Sequence, residues 1–376
     1  MTDEHESKVD VAFLWDLSSP QWSRRRFLQT MAFMGAAGFL GVGCGSDDGD
    51  DKSAGPEAKQ LNFYNWTDYI AEDTIPGFTK KTGIKVTYDN YSSNDDLFAK
   101  LRQGSAGYDL IVPTDNFVVK MIEADLLEPL DLGMIPNRKN LDARFQDADY
   151  DPGNKYSIPW QWGTTGIGYD PEEVGEEVDD WDALMLPSVR NRSSFLDEAR
   201  DAFGMALYAV GMDPNSTDEA DIEEAQKYLI SLKKQVKQIT SDYQDPLKSG
   251  GLIMAQAYSG DVFQVQAENE SVRYVIPKSG AFQWVDAACV PKGAEHPKNA
   301  HAFLNYILEP KVGAALTNYV QYGTPNKAAL PFVDPEVKDD PLKTPPEDIL
   351  SKLVFQAPLG EKELVIADAW TKVKTS

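Results

Sequence analysis

The stretch LNFYNWTDYIAEDTIPGFTKKTGIKVTY, residues 61–88, decides the fold class. Leu61 and Phe63 alternate with other residues as a strand does, so 61–64 reads as a first strand. A helix is expected over 70–82, closed by Lys80, Lys81 and a capping Gly83. Pro76 inside it implies a late start or a kink. Ile84, Val86 and Tyr88 then alternate as a second strand. Between strand and helix stands FYNWTDY, residues 63–69. A core accepts its rings but not its carboxylate, and a solvated loop accepts the carboxylate but rarely two large rings. A pocket for something both cationic and apolar uses all three.

The same alternation continues outward. Residues 95–102 read as helix, 109–112 as a short buried strand and 117–127 as helix. This βαβαβα order predicts a parallel sheet covered by helices. YSIPWQWGTTGIGY, residues 156–169, is β-rich with Gly163, Gly166 and Gly168, and reads as a crossing segment rather than one compact strand. A second α/β block follows: helices 198–210 and 219–234, and strands 252–258, 272–276 and 284–290. Helices 297–308 and 311–319, a Pro- and Asp-rich segment and a helical tail complete the chain. No internal repeat is visible. Two α/β lobes of this kind place a ligand in the cleft beyond the carboxyl ends of their strands.

Composition agrees with two lobes. The chain has 376 residues, 42% of them hydrophobic, enough for about two domains. Against 36 Lys and Arg stand 60 Asp and Glu, a net charge of −24. That balance argues against nucleic acid as a partner, since phosphate binding needs a basic face. It suits a cationic ligand through field focusing, and it also keeps a surface soluble. The two cysteines do not make a disulfide framework; Cys289, in AACVP, reads as a buried thiol.

The N-terminus reads as an address. Ser23–Leu28 is SRRRFL, followed by the apolar run 27–42 and the break GVGCGSDDGDD. Basic residues, a short apolar segment and small residues before a break describe an export signal. The run is about 16 residues, short of the roughly 20 that span a bilayer. SRRRFL resembles the twin-arginine signal, and Gly43-Cys44-Gly45 resembles a lipoprotein cleavage site, with Cys44 as the lipidated residue. A leucine three places before that cysteine is usual, and Gly41 stands there instead. Residues 1–44 are thus read as signal, and the Gly- and Asp-rich 45–58 as a flexible tether.

In the folded part, YNWTDY, FTKKTGIKV, LFAKLRQGSAGYDLIVPT, YSIPWQWGTTGIGY, YSGDVF, WVDAACVP and YGTPNKAA occur in that order. From about Leu61 to the tail the chain resembles the spermidine/putrescine-binding proteins of polyamine ABC transporters. The resemblance implies the two-lobed periplasmic-binding-protein fold, each lobe a helix-covered, mainly parallel sheet. Residues 59–163 with 288–325 would form one lobe, and 164–287 with 326–376 the other. It also implies a monomer that captures polyamine and passes it to a permease and its ATPase, without a cofactor or metal and without enzymatic activity.

The resemblance carries over onto named residues. Trp66, Thr67, Asp68 and Tyr69 fall on ligand-contacting positions. Thr114 matches a contacting hydroxyl, and Asn116 stands where spermidine-preferring relatives have tyrosine. Glu198 and Asp201 match two acidic positions with the acids exchanged. Tyr258 replaces a tryptophan, and Asp261 matches an acid of putrescine-preferring relatives. Trp284 and Asp286 match a ring and the central carboxylate, and Tyr322 and Gln356 complete the set. Thr67, Glu198, Trp284 and Gln356 follow the spermidine-preferring pattern; Asp68, Phe117 and Asp261 follow the other. An acid at Glu198 gives a third amine a partner, so spermidine is favoured and putrescine retained.

These residue types suit a polyamine. Each ammonium loses its water in the cleft and needs a carboxylate. Methylenes need apolar walls, and aromatic faces serve methylenes and cations alike. Three other classes stay open: a carboxylate-pair glycosidase, a binding protein for another solute such as a sugar or metal ion, and a polyamine sensor. Against an enzyme, no nucleophile elbow, metal-spaced histidine pair or P-loop appears, and the histidines are three, His5, His296 and His301.

Overall fold

The computed structural model describes residues 57–104 and 107–376. The expected signal, its Cys44 and tether residues 45–56 lie outside the described residues. Ten strands are present among those described: β1 Gln60–Trp66, β2 Lys85–Tyr91, β3 Leu110–Ile111, β4 Ser157–Tyr169, β5 Ser193–Phe195, β6 Gln238–Ile239, β7 Met254–Tyr258, β8 Arg273–Val275, β9 Ala281–Cys289 and β10 Leu353–Val354. They pair in the order β2-β1-β3-β9-β4-β7-β5-β6, with β8 beside β4 and β10 beside β9.

The opening stretch folds as its pattern requires. Leu61 and Phe63 of β1 are fully buried, and β1 pairs parallel with both β2 and β3. The following helix is Thr74–Thr82. Its late start puts Pro76 in the first turn, where a missing N–H breaks no helical hydrogen bond. Gly83 ends it at φ 74°, a left-handed conformation that favours glycine, and its N–H reaches Thr79 O.

The outer strands of each lobe are parallel: β1 with β2 and β3, β5 with β6 and β7. Two long antiparallel strands join the lobes. The first part of β4 pairs with β9, from Ser157 opposite Cys289 to Thr164 opposite Gln283. Its second part pairs with β7, from Thr165 opposite Tyr258 to Tyr169 opposite Met254. The segment 157–169 is therefore one continuous strand as well as a crossing; its glycines had suggested a broken course. Gly163 is needed for close approach, since a Cβ there would lie 2.7 Å from the Trp284 ring and 2.9 Å from that of Tyr322.

Each lobe has its own core. One gathers Leu61, Phe63, Phe78, Trp160, Phe303 and Leu316; the other gathers Trp181, Phe195, Phe203, Leu229, Met254 and Ile366. Residues 326–376, read from the sequence as belonging wholly with the second lobe, divide. Ala329, Val333 and Val337 pack on Ala314 of helix Pro310–Val320 in the first lobe. Leu353, Ile366, Ala369 and Val373 join the second core. The helix Ser259–Glu268, which buries Val262, Phe263 and Val265, was not legible behind strand β7.

Candidate functional site

A cavity of about 1020 Å³ is lined by residues of both lobes. All fourteen residues singled out from the sequence line it: Trp66, Thr67, Asp68, Tyr69, Thr114, Asn116, Glu198, Asp201, Tyr258, Asp261, Trp284, Asp286, Tyr322 and Gln356.

FYNWTDY is one wall. Strand β1 delivers Trp66, whose indole N–H donates to Val112 O at 2.8 Å and whose ring meets Tyr91 at 4.6 Å. The chain then turns at Asp68, which adopts φ 52°, a region a short polar side chain tolerates. Asn65 donates to Tyr69 O at 3.2 Å and holds the turn closed. Asp68 is thereby left exposed at the cavity. Tyr69 meets Tyr322 edge-on at 5.4 Å, Tyr322 meets Trp284 at 5.2 Å, and Trp284 meets Tyr258 at 5.7 Å. Four rings thus form a continuous aromatic band.

The carboxylates are held at helix starts and on β9. Asp286 is 5% exposed within the apolar strand Ala281–Cys289. Thr114 precedes helix Asp115–Glu123 but makes no side-chain cap. Its hydroxyl instead donates to Asp286 Oδ1 at 2.7 Å and accepts from Asn94 Nδ2 at 3.0 Å. Burial pushes Asp286 up to about 7, with Asp261 and Asp201 adding to the rise. Asp261 accepts from the hydroxyls of Tyr322 at 2.6 Å and Tyr243 at 2.8 Å, yet burial still raises its pKa.

Asp201, on the cavity wall from helix Ala199–Ala209, accepts from Thr165 at 3.0 Å and Gln356 at 3.2 Å. Gln356 in turn accepts from Asn116 Nδ2 at 2.8 Å, a bond that crosses the cavity. Glu198 occupies a helix N-cap position without making a side-chain cap. Burial, then Asp201 and Asp95, push its carboxyl well above the usual range. The Trp284 indole nitrogen is buried without a hydrogen-bond partner, and the buried Tyr69 hydroxyl lies beside Asp286. Burial and the Asp286 charge raise the Tyr69 phenol well above its ordinary value.

Sequence reasoning missed several neighbours. Asp95, Lys120, Arg200 and Glu363 also line the cavity; on the sequence they are ordinary helix-end charges. Tyr243, which holds Asp261, carries no distinguishing pattern. Asp115 does not line the cavity; it is buried beneath it, accepts the Asn116 N–H at 2.7 Å and is pushed by burial up to about 8. In all, eleven carboxylates and two cationic side chains line the cavity, so its charge selects a cation. Among the described residues no acids converge as a metal shell.

Comparison with known proteins gives this geometry a family. The model of the family "Bacterial extracellular solute-binding protein" matches residues 74–345. The putrescine-binding periplasmic protein PotF of Escherichia coli is 39% identical over 342 residues, 85% of this chain and 92% of that protein. The putrescine-binding periplasmic protein SpuD of Pseudomonas aeruginosa is 37% identical over 338 residues, 84% of this chain and 92% of that protein. Among solved structures, the spermidine/putrescine ABC transporter substrate-binding protein PotD of Streptococcus pneumoniae superposes with a TM-score of 0.73 at 32% identity, over 84% of this chain and 98% of that one. With a family match across most of the folded chain, two lobes joined by crossing strands and a cavity lined from both, this protein belongs to the bacterial extracellular solute-binding proteins.

Proposed function

We propose that the protein captures a linear polyamine in this cavity, spermidine ahead of putrescine, and delivers it to an ABC permease and its ATPase. The observation that carries this reading is the pairing of eleven carboxylates with an aromatic band in one cavity. A neutral sugar gains nothing from so one-sided a charge; an excess of carboxylates over cationic side chains favours a cation. An ammonium stripped of water costs several kcal/mol unless paired, and Asp286 is a buried carboxyl at the cavity that accepts the Thr114 hydroxyl and keeps further acceptor capacity.

The fourteen residues take three roles in this proposal. Asp286 and Asp261 hold one amine, Glu198 and Asp201 hold another, and Asp68 serves a terminal amine. Trp66, Tyr69, Tyr258, Trp284 and Tyr322 cover methylenes and face cations, each such contact contributing about 0.5–2 kcal/mol. Thr114 and Gln356 orient Asp286 and Asp201, Asn116 holds Gln356, and Thr67 contacts the ligand from the β1 wall. Glu198 supports spermidine, since it gives a third ammonium a carboxylate that no hydrogen-bond donor of its own helix start already occupies. The signal 1–44 would export the protein by the twin-arginine route, and Cys44 would anchor it by lipid through the 45–58 tether, as a monomer on the outer side of the membrane. Lobe boundaries near 163 and 288, at the two crossing strands, fit closure about β4 and β9.

Tryptophan fluorescence tests the reading, because Trp66 and Trp284 both line the cavity. Putrescine and spermidine should each change emission saturably and raise the melting temperature. Silence with both amines and a response to a neutral sugar or an amino acid would overturn it.

A further inference from the structure

The cavity contains a cation of its own. Lys120 lies in the last turn of helix Asp115–Glu123 and lines the cavity. Its ammonium stands over the Phe117 ring, 4.2 Å from the centroid, and pairs with Glu363 at the start of the C-terminal helix. Glu363 is fixed from its other side by Arg200 at 3.6 Å. Arg200 is itself pinned by Ala357 O and Asn215 Oδ1, each at 3.1 Å. The same ammonium acts on Asp95, offsetting the burial that raises its carboxyl. Asp95 in turn raises Glu198, so these cavity-lining acids lie within electrostatic reach of one another. The arrangement matches a bound alkylammonium: a charge between carboxylates, with an aromatic face beneath it.

We infer that Lys120 is a tethered ammonium that occupies the outermost acidic subsite of the cavity and sets the upper limit on ligand length. This rests on the polyamine reading above. A diamine or triamine ends before reaching this place. A tetraamine whose fourth ammonium reaches this place meets Glu363 already paired with Lys120 and Arg200, and Asp95 already in the field of the Lys120 ammonium. Binding the longer chain requires breaking the Lys120–Glu363 pair and lifting the ammonium off Phe117, with no net gain in charge pairs.

Calorimetric titration of the wild type, Lys120→Met and Lys120→Arg with putrescine, spermidine and spermine tests the inference. Lys120→Met leaves Glu363 with Arg200 alone, opens the Glu363 oxygen that Lys120 held, and should shift the preference for spermine over spermidine by about tenfold or more, the worth of one charge-assisted hydrogen bond. Lys120→Arg keeps the cation and should retain the wild-type preference. Lys120→Gln, which keeps a polar tip, serves in place of the Met variant if the latter does not fold. An unchanged preference in Lys120→Met overturns the inference. So does equal weakening of all three amines, which would make Lys120 a brace between lobes. Wild-type protein that binds none of the three would instead overturn the polyamine reading itself.

Discussion

Replacing Asp286 with asparagine should stabilise the empty protein while destroying its function. The side chain is buried on β9, and burial lifts its carboxyl from 3.8 to about 7. The sign follows from proton linkage. A carboxyl raised in the folded state binds more protons there than in the unfolded chain, so stability falls as pH rises between the two values. The penalty is absent below about 3.8, grows by about 1.4 kcal/mol per pH unit, and saturates at about 4 kcal/mol above about pH 7. An asparagine at this position has nearly the same volume, and its carbonyl can still accept the Thr114 hydroxyl that lies 2.7 Å from Oδ1. The variant escapes the penalty. Urea unfolding of ligand-free wild type and Asp286→Asn at pH 5 and pH 8 should give a variant more stable at both values, by roughly 2 to 3 kcal/mol more at pH 8. Spermidine affinity should fall at the same time by at least about 2 kcal/mol, the usual loss on breaking a buried charge pair. A variant no more stable than wild type at pH 8, or an advantage that does not grow with pH, would refute the reasoning.

Three further perturbations probe other parts of the protein. Gly163→Ala places a Cβ 2.7 Å from Trp284 and 2.9 Å from Tyr322; a strain of about 1–3 kcal/mol should appear as a lower melting temperature together with weaker binding. Gln356→Leu removes the acceptor for Asn116 and a donor to Asp201, and should cost about 1–3 kcal/mol in denaturant unfolding. Exchanging Arg24 and Arg25 for Lys should leave the protein inside the cell, and Cys44→Ser should release exported protein from the membrane fraction, both read by immunoblotting of cell fractions.

Much of this molecule is legible in its sequence because two periodicities and a few unusual residues carry it. The alternation of Leu61 and Phe63, the capping Gly83 and the apolar DLIV run each fix a local element with little help from distant contacts. All fourteen candidate residues line one cavity because family resemblance transfers positions, not merely residue types. What stayed hidden depends on tertiary contacts. Nothing near Lys120 announces that its partner is Glu363, a residue 243 positions away. The packing of Ala329 and Val333 on Ala314 is equally non-local, so the lobe boundary near 326 could not be read from composition. Asp115 and Asn116 are adjacent, yet one is buried beneath the cavity and the other lines it, a choice made by the helix start and not by residue chemistry.

The most direct measurement is calorimetric titration of the protein with spermidine and putrescine at pH 7, in two buffers of different ionisation enthalpy. The account predicts saturable one-to-one binding with net proton release. Asp286, held near 7 when the cavity is empty, is about half protonated at this pH and must ionise against the ammonium, releasing about half a proton from this group alone. Folded protein that gives no saturable heat with either amine would contradict it.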